Sequence, residues 1–170
     1  MVVNGWTLLF HDAVVGQLDR LTDAAEPARK ADPKNFKTNS NVKLLTALVK
    51  LMFQAIPTDP TRSEYRQGNT LGGDYRHWFR AKFLGRFRLF FRYDSRSKLI
   101  VYAWVNDERT LRQSGGKRDP YEVFRRMLES GSPPNDWDAL LTSASMQLGS
   151  RIAARFKNIG LESGEELSKP

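Results

Sequence analysis

Between Trp78 and Val105 the chain alternates, and the two parities of the alternation carry different chemistry. From Arg86 to Tyr93 one parity holds Arg86, Arg88, Phe90 and Arg92, and the other Phe87, Leu89, Phe91 and Tyr93. The run before it sets Arg80 and Lys82 against Phe79, Ala81 and Phe83. The run after it sets Lys98, Ile100, Tyr102 and Trp104 against Leu99, Val101, Ala103 and Val105. A period of two is that of a strand, whose successive side chains point to opposite sides of a sheet. Leu84-Gly85 and Asp94-Ser95-Arg96-Ser97 supply turn chemistry between the runs. The pattern predicts an antiparallel meander, one face covered by helices and the other, cations mixed with aromatics, open to a polyanion.

The flanking segments supply the cover. Gly5 to Phe10 is rich in strand formers and is expected as an edge strand. Asp12 is read as the cap of a helix bearing Val14, Val15, Leu18, Leu21 and Ala25, which Pro27 should kink or end. Asn39, Ser40 or Asn41 opens a second helix through Ile56, with Leu44, Leu45, Leu48, Val49 and Met52 on an apolar stripe. Pro57 to Asp74 is expected as an exposed loop. Asp119-Pro120 reads as cap and first position of a helix with Tyr121, Phe124 and Leu128 that ends at Gly131. After Pro133-Pro134, Asp136 caps a last helix running from Trp137 to about Phe156. The sum is an α+β domain with two helices on one face of the sheet and C-terminal helices beyond about residue 130. It occupies residues 1–158, and residues 159–170, small, acidic and poor in apolar side chains, read as a flexible tail.

Charge bounds the function. Arg76 to Arg126 holds 14 Lys/Arg and 5 Asp/Glu, so the excess behind the net charge of +8 sits on the meander and the loop after it. Such a surface favours polyanions, or else merely solvates the fold. The absence of cysteine removes disulfides, thiol catalysis and thiolate zinc sites, and with only two histidines a metal site is not expected. No apolar run reaches the roughly 18 residues of a membrane span, so a soluble, cytoplasmic chain without cofactor is expected. His11 is read as a capping or packing residue, and His77 as a surface histidine with an acid/base alternative. Asp107 and Glu108 are expected in salt bridges that orient nearby arginines rather than on Mg²⁺.

Arg88 lies mid-strand among other cations, where a guanidinium can grip a phosphate with two hydrogen bonds. RNA breaks without a metal when the neighbouring 2′-OH attacks phosphorus, provided the attack is oriented, protons move and extra negative charge is stabilised. Tyr121 can donate a proton, hydrogen-bond the phosphate or stack on a base. Phe90, Tyr102 and Trp104 could stack on bases, or could belong to a second apolar patch beneath the C-terminal helix.

The segments Gly85–Tyr93, Trp104–Arg112, Asp119–Phe124 and Pro133–Trp137, with Val3–Trp6, together resemble YhaV-type toxins of the RelE/ParE superfamily over roughly residues 3–140. The resemblance implies a RelE-like fold with a curved antiparallel sheet. It also implies a toxin–antitoxin module whose toxin is a metal-independent endoribonuclease, cutting mRNA on translating ribosomes by 2′-OH attack to leave a 2′,3′-cyclic phosphate. The implied partners are mRNA, the ribosome and a PrlF-type (AbrB-like) antitoxin, with operator DNA reached only through that antitoxin. Carried over by position, the catalytic set is Lys82, Arg88, Tyr121 and either Arg109 or Arg112, with Lys82 the better proton-transfer group because Arg80 stands where a lysine is usual. Arg80, Arg86, Arg92, Trp104, Lys117 and Arg118 would contact RNA. The alternative is a non-catalytic protein, either a ParE-like toxin acting on gyrase or an RNA-binding domain. The joint presence of Arg88, a second arginine after the sheet and Tyr121 separates the two.

Overall fold

Two of the three alternating runs fold as their pattern dictates. In the computed structural model, which describes residues 1–161, β3 (Phe79–Phe83) pairs antiparallel with β4 (Phe87–Asp94). Arg80 falls opposite Phe90 and Lys82 opposite Arg88, so the cations of both strands share one face. β4 pairs antiparallel with β5 (Leu99–Val105), but Phe90 faces Trp104 while Phe91 faces Tyr102, leaving Ala103 as an extra residue in β5. This bulge resets the parity of β5. Trp104 keeps the face expected of it, whereas Ile100 and Tyr102 turn to the opposite one, where Tyr102 is fully buried and donates its hydroxyl to the Met52 carbonyl at 2.6 Å.

The expected edge strand is interior to the sheet. β2 (Trp6–His11) runs parallel to β5, Thr7 opposite Leu99 and Phe10 opposite Tyr102. Its outer side is covered by β1 (Val2–Val3) and β6 (Ala144–Ser145), giving the order β1-β2-β5-β4-β3 with β6 also on β2. The sheet is therefore mixed, mostly antiparallel. A parallel pair needs a long crossover, and here that crossover is the whole of residues 12–98, β3 and β4 included.

On one face, α1 (Asp12–Ala31), α2 (Ser40–Lys50) and α6 (Met146–Asn158) bury the main core, which includes Leu8, Phe10, Leu45, Phe53, Phe91 and Phe156. His11, not Asp12, caps α1, its Nδ1 accepting from the Ala13 N–H at 3.1 Å. Pro27 does not end the helix; it lies on the exposed side, away from the core that the helix covers. Asn39 caps α2, which passes through a π turn (Leu51–Ala55) into α3 (Ile56–Thr58). Gly149 of α6 lies against the Phe10 ring, where a Cβ would come within 2.5 Å. Arg155 clasps α6 to Asp19, Asp23 and Glu26 of α1.

The other face is not open. α4 (Pro120–Glu129) and α5 (Trp137–Ser143) lie over it and close a second core of Trp78, Phe90, Trp104, Phe124 and Leu140, joined by Leu71 from the segment expected as an exposed loop. Helices thus cover both faces rather than one. The sheet presents two large aromatic rings here, Phe90 and Trp104, whose burial is favourable, and Phe124 stacks on them at centroid separations of 4.3 and 6.0 Å. The single C-terminal helix expected from Trp137 is broken at Ala144–Ser145, which pair with His11 and Phe10 before Ser145 caps α6. Ile159 and Leu161 are buried in the main core, so the stretch expected as a tail begins inside the packed body. Its remainder lies outside the described residues. Among the described residues no helix is long and apolar enough to cross a membrane.

Candidate active site

The cation face and the first turn of α4 meet at Tyr121. Its hydroxyl accepts the Nε–H of Arg80 at 2.8 Å and the Nε–H of Arg88 at 3.2 Å. The guanidinium carbons of Arg112 and Arg88 lie 5.0 and 5.9 Å from its ring centroid. Register explains part of this: β3 and β4 present Arg80 and Arg88 on the same side, and α4 lays Tyr121 between them. Backbone carbonyls hold the arginines. Arg80 donates to Glu64 O at 2.6 Å, and Arg88 to Gly85 O and Phe87 O at 3.0 and 2.8 Å.

Asp119 ties the second arginine to the same helix. One carboxylate oxygen accepts the Tyr121 N–H at 3.2 Å and caps α4. The other pairs with Arg112 at 2.6 Å and accepts the Gln113 N–H at 2.8 Å. Asn106, almost fully buried, fastens the near end of the same loop: its Oδ1 accepts the Arg88 N–H at 2.6 Å while its Nδ2 donates to Arg86 O and Thr110 O. Sequence reasoning saw Asp119 only as a cap and did not single out Asn106. The available signal for Asp119 was the Gly115-Gly116 turn, which folds Arg112 back onto it.

Beside this cluster opens a depression of about 360 Å³, lined by Arg112, the Ser114–Lys117 turn, Tyr121, Glu122 and Thr70. Arg80 and Arg88, only 8% and 6% exposed, stand behind Tyr121 rather than at its surface. The site is thus a small pocket in which Arg112 and Lys117 face Asp119 and Glu122, with the excess of positive charge supplied by the two arginines behind the phenol. With both hydroxyl lone pairs engaged by guanidinium N–H groups, Tyr121 has only its own proton left to offer.

Other expected site residues lie elsewhere. Arg109 is exposed and borders a separate depression with Gln17, Arg20 and Glu108; of the two arginines after the sheet, Arg112 is the one beside Tyr121. Lys82 is exposed on β3 across from Arg88. Arg86 is exposed and donates to Arg112 O, and Lys117 and Arg118 are exposed in the loop. Trp104 is buried under Phe124 and has no face for a base. Arg92 is clamped between Trp78 and Trp137, at 5.5 and 4.9 Å from their centroids, and donates to Asn135 O. Burial there lowers the pKa of Arg92, whose guanidinium is held between the two indoles. His77 bonds Asn135, which also accepts from the Trp78 indole, so it anchors the segment before α5. Asp107 accepts from Arg109 N, Thr110 Oγ1 and Gln17 in place of the expected salt bridge. Among the described residues no group of three or more His, Cys, Asp or Glu could hold a metal ion.

Residues 8–145 match the model of a family described as a toxin with endonuclease activity, of a toxin–antitoxin system. The chain is 41% identical over 140 residues to the ribonuclease toxin YhaV of Escherichia coli K12, covering 81% of this chain and 91% of the relative. It is equally similar to the toxin YhaV of Escherichia coli O6:H1 strain CFT073, again 41% identical over 140 residues. No solved structure matches. The endonuclease description goes against the non-catalytic alternative.

Proposed function

The chain belongs to the YhaV family of toxins with endonuclease activity, and we propose that it cuts mRNA by driving a ribose 2′-hydroxyl onto the adjacent phosphorus. The observation that carries this reading is the Tyr121 hydroxyl, held by two guanidinium N–H donors at the edge of a pocket that Arg112 also lines.

In the proposed step the 2′-oxygen bonds to phosphorus as its proton passes to a base. The bond from phosphorus to O5′ breaks, and the departing oxygen takes up a proton. The products are a 2′,3′-cyclic phosphate and a 5′-hydroxyl. Arg112 binds the scissile phosphate and stabilises the charge that builds on its oxygens, work assigned here to guanidinium groups rather than to a metal ion. Tyr121 donates its phenolic proton, as a hydrogen bond to the phosphate or to the leaving oxygen. Arg80 and Arg88 act through Tyr121 by fixing its hydroxyl. Lys82, exposed across from Arg88, is the proposed proton-transfer group at the outer rim. Lys117 and Arg118 guide the flanking backbone.

Around this site we read one RelE-like domain, which takes in the buried Ile159 and Leu161 as well as residues 1–158 and acts on the translating ribosome in the cytoplasm. Membership of a toxin–antitoxin system implies an antitoxin, for which we propose a PrlF-type protein that also supplies the contact with operator DNA. The test is induced expression with 5′-end mapping of transcripts, comparing wild type with Arg112→Ala and Tyr121→Phe. Wild type should create new 5′-hydroxyl ends, and each variant should lose them by about 10²-fold. Undiminished cleavage by the double variant would remove this site from the reaction.

A further inference from the structure

We propose that the groove between α2 and the β3–β4 turn is where an acidic, amphipathic segment of the antitoxin docks. The inference rests on membership of a toxin–antitoxin family and not on the assignment of the Tyr121 site.

The groove encloses about 690 Å³, with Lys37, Lys43 and Lys50 on its rim and Val49, Leu84 and Leu161 among its apolar surfaces. Lys43 and Lys50 stand two helical turns apart on the outward side of α2, and all three lysines are exposed. Among the described residues none of the three takes part in an ion pair. Leu84 is more unusual. It is 55% exposed and sits at φ 44, a backbone conformation that glycine or asparagine would hold without strain. Folding gains little from an exposed leucine held in that region, but a partner gains an apolar anchor.

The lining chooses between kinds of partner. Arginines and aromatic rings, which grip phosphate and stack on bases, are missing from this groove's lining, whereas they gather at the Tyr121 pocket. Aliphatic surface framed by lysines complements a peptide with apolar side chains on one face and carboxylates beside them. The position also gives such a segment a grip on catalysis. Leu84 is followed by Gly85, whose carbonyl accepts from Arg88, and by Arg86, whose backbone carbonyl accepts the Arg112 N–H at 3.0 Å. A segment packed on Leu84 bears on the turn that fixes both arginines without entering the pocket.

The experiment uses the full chain and the antitoxin encoded with it. Lys43→Glu with Lys50→Glu, and separately Leu84→Asn, are titrated with antitoxin and expressed alone in cells. Each should bind antitoxin at least about tenfold more weakly, while growth arrest by the toxin alone is unchanged. Affinity of the unmutated pair should also fall as salt rises from about 0.1 M to about 1 M, since exposed charge pairs are screened. Antitoxin affinity within about twofold of wild type in both variants, or a flat salt response of the unmutated pair, overturns the proposal. So does a loss of RNA binding, or of self-association, with antitoxin affinity intact.

Discussion

Replacing Asp119 by serine removes a carboxylate while keeping a helix cap. Serine accepts the N–H at the start of a helix about as well as aspartate, so the bond to Tyr121 N survives. Lost are the contact to Arg112 at 2.6 Å and the acceptor for Gln113 N–H. A charge-assisted hydrogen bond contributes about 1.5–3 kcal/mol. The Asp119 side chain is 6% exposed but that of Arg112 is 28% exposed, so water recovers part of the loss. The fold should give up about 1–2 kcal/mol, a fall in Tm of roughly 3–6 °C. Catalysis should suffer more, because Arg112 loses the anchor that aims it at the pocket, and a misplaced phosphate ligand costs about 10²-fold in kcat. Asp119→Ala should cost a further ~1 kcal/mol of stability from the cap with no further fall in kcat. The assay is steady-state cleavage of a short single-site RNA, with melting curves alongside. Two results would refute the reasoning: kcat for Asp119→Ser equal to wild type, or a further loss of about tenfold or more (~1.4 kcal/mol) when Asp119→Ser is added to Arg112→Ala.

Three further outcomes are expected. Trp104→Ala empties the space against Phe124 and Phe90 and should cost about 3–5 kcal/mol in chemical unfolding; unchanged stability with weakened RNA binding would return Trp104 to the binding surface. Gly149→Ala drives a methyl into the Phe10 ring and should lower the urea midpoint by the equivalent of about 1–3 kcal/mol, which equilibrium unfolding measures directly. Burial holds the His11 pKa below the ordinary 6.5, with Asp12 opposing in part, and burial also lowers that of His77. The unfolded chain therefore takes up protons first on acidification, so the stability that depends on neutral histidine is complete above about pH 6.5 and shrinks as pH falls below it. His11→Asn retains a capping acceptor and should flatten part of that slope in melts between about pH 7.5 and 5.5; an unaltered slope would show that His11 is not its source.

Period-two reading worked where the strands are regular. The faces of β3 and β4, including the shared side of Arg80, Lys82 and Arg88, follow directly from the alternation. It misassigned Ile100 and Tyr102 because the extra residue at Ala103 leaves no mark in composition. Capping chemistry located α4 and α5 through Asp119 and Asp136, yet the break at Ala144–Ser145 depends on pairing with β2, a contact no local window contains. That Arg88, Tyr121 and one of Arg109 and Arg112 would come together was legible, though not which arginine, and whether the aromatic-rich face stayed open turned on whether α4 reached back over Phe90 and Trp104. Local sequence decides that a helix forms; where it lands is decided by the whole apolar surface left to cover.

The parallel pairing of β2 with β5 also governs when this chain becomes finished during its own synthesis. The first long strand emerges with residues 6–11, its neighbour with residues 99–102, and the glycine that accommodates Phe10 only at 149. Until those residues have been made, β2 lacks its parallel neighbour and the glycine beneath Phe10, since distant contacts must wait for the loop between them to close. A chain that stops before that point lacks α6 and with it one wall of the main core.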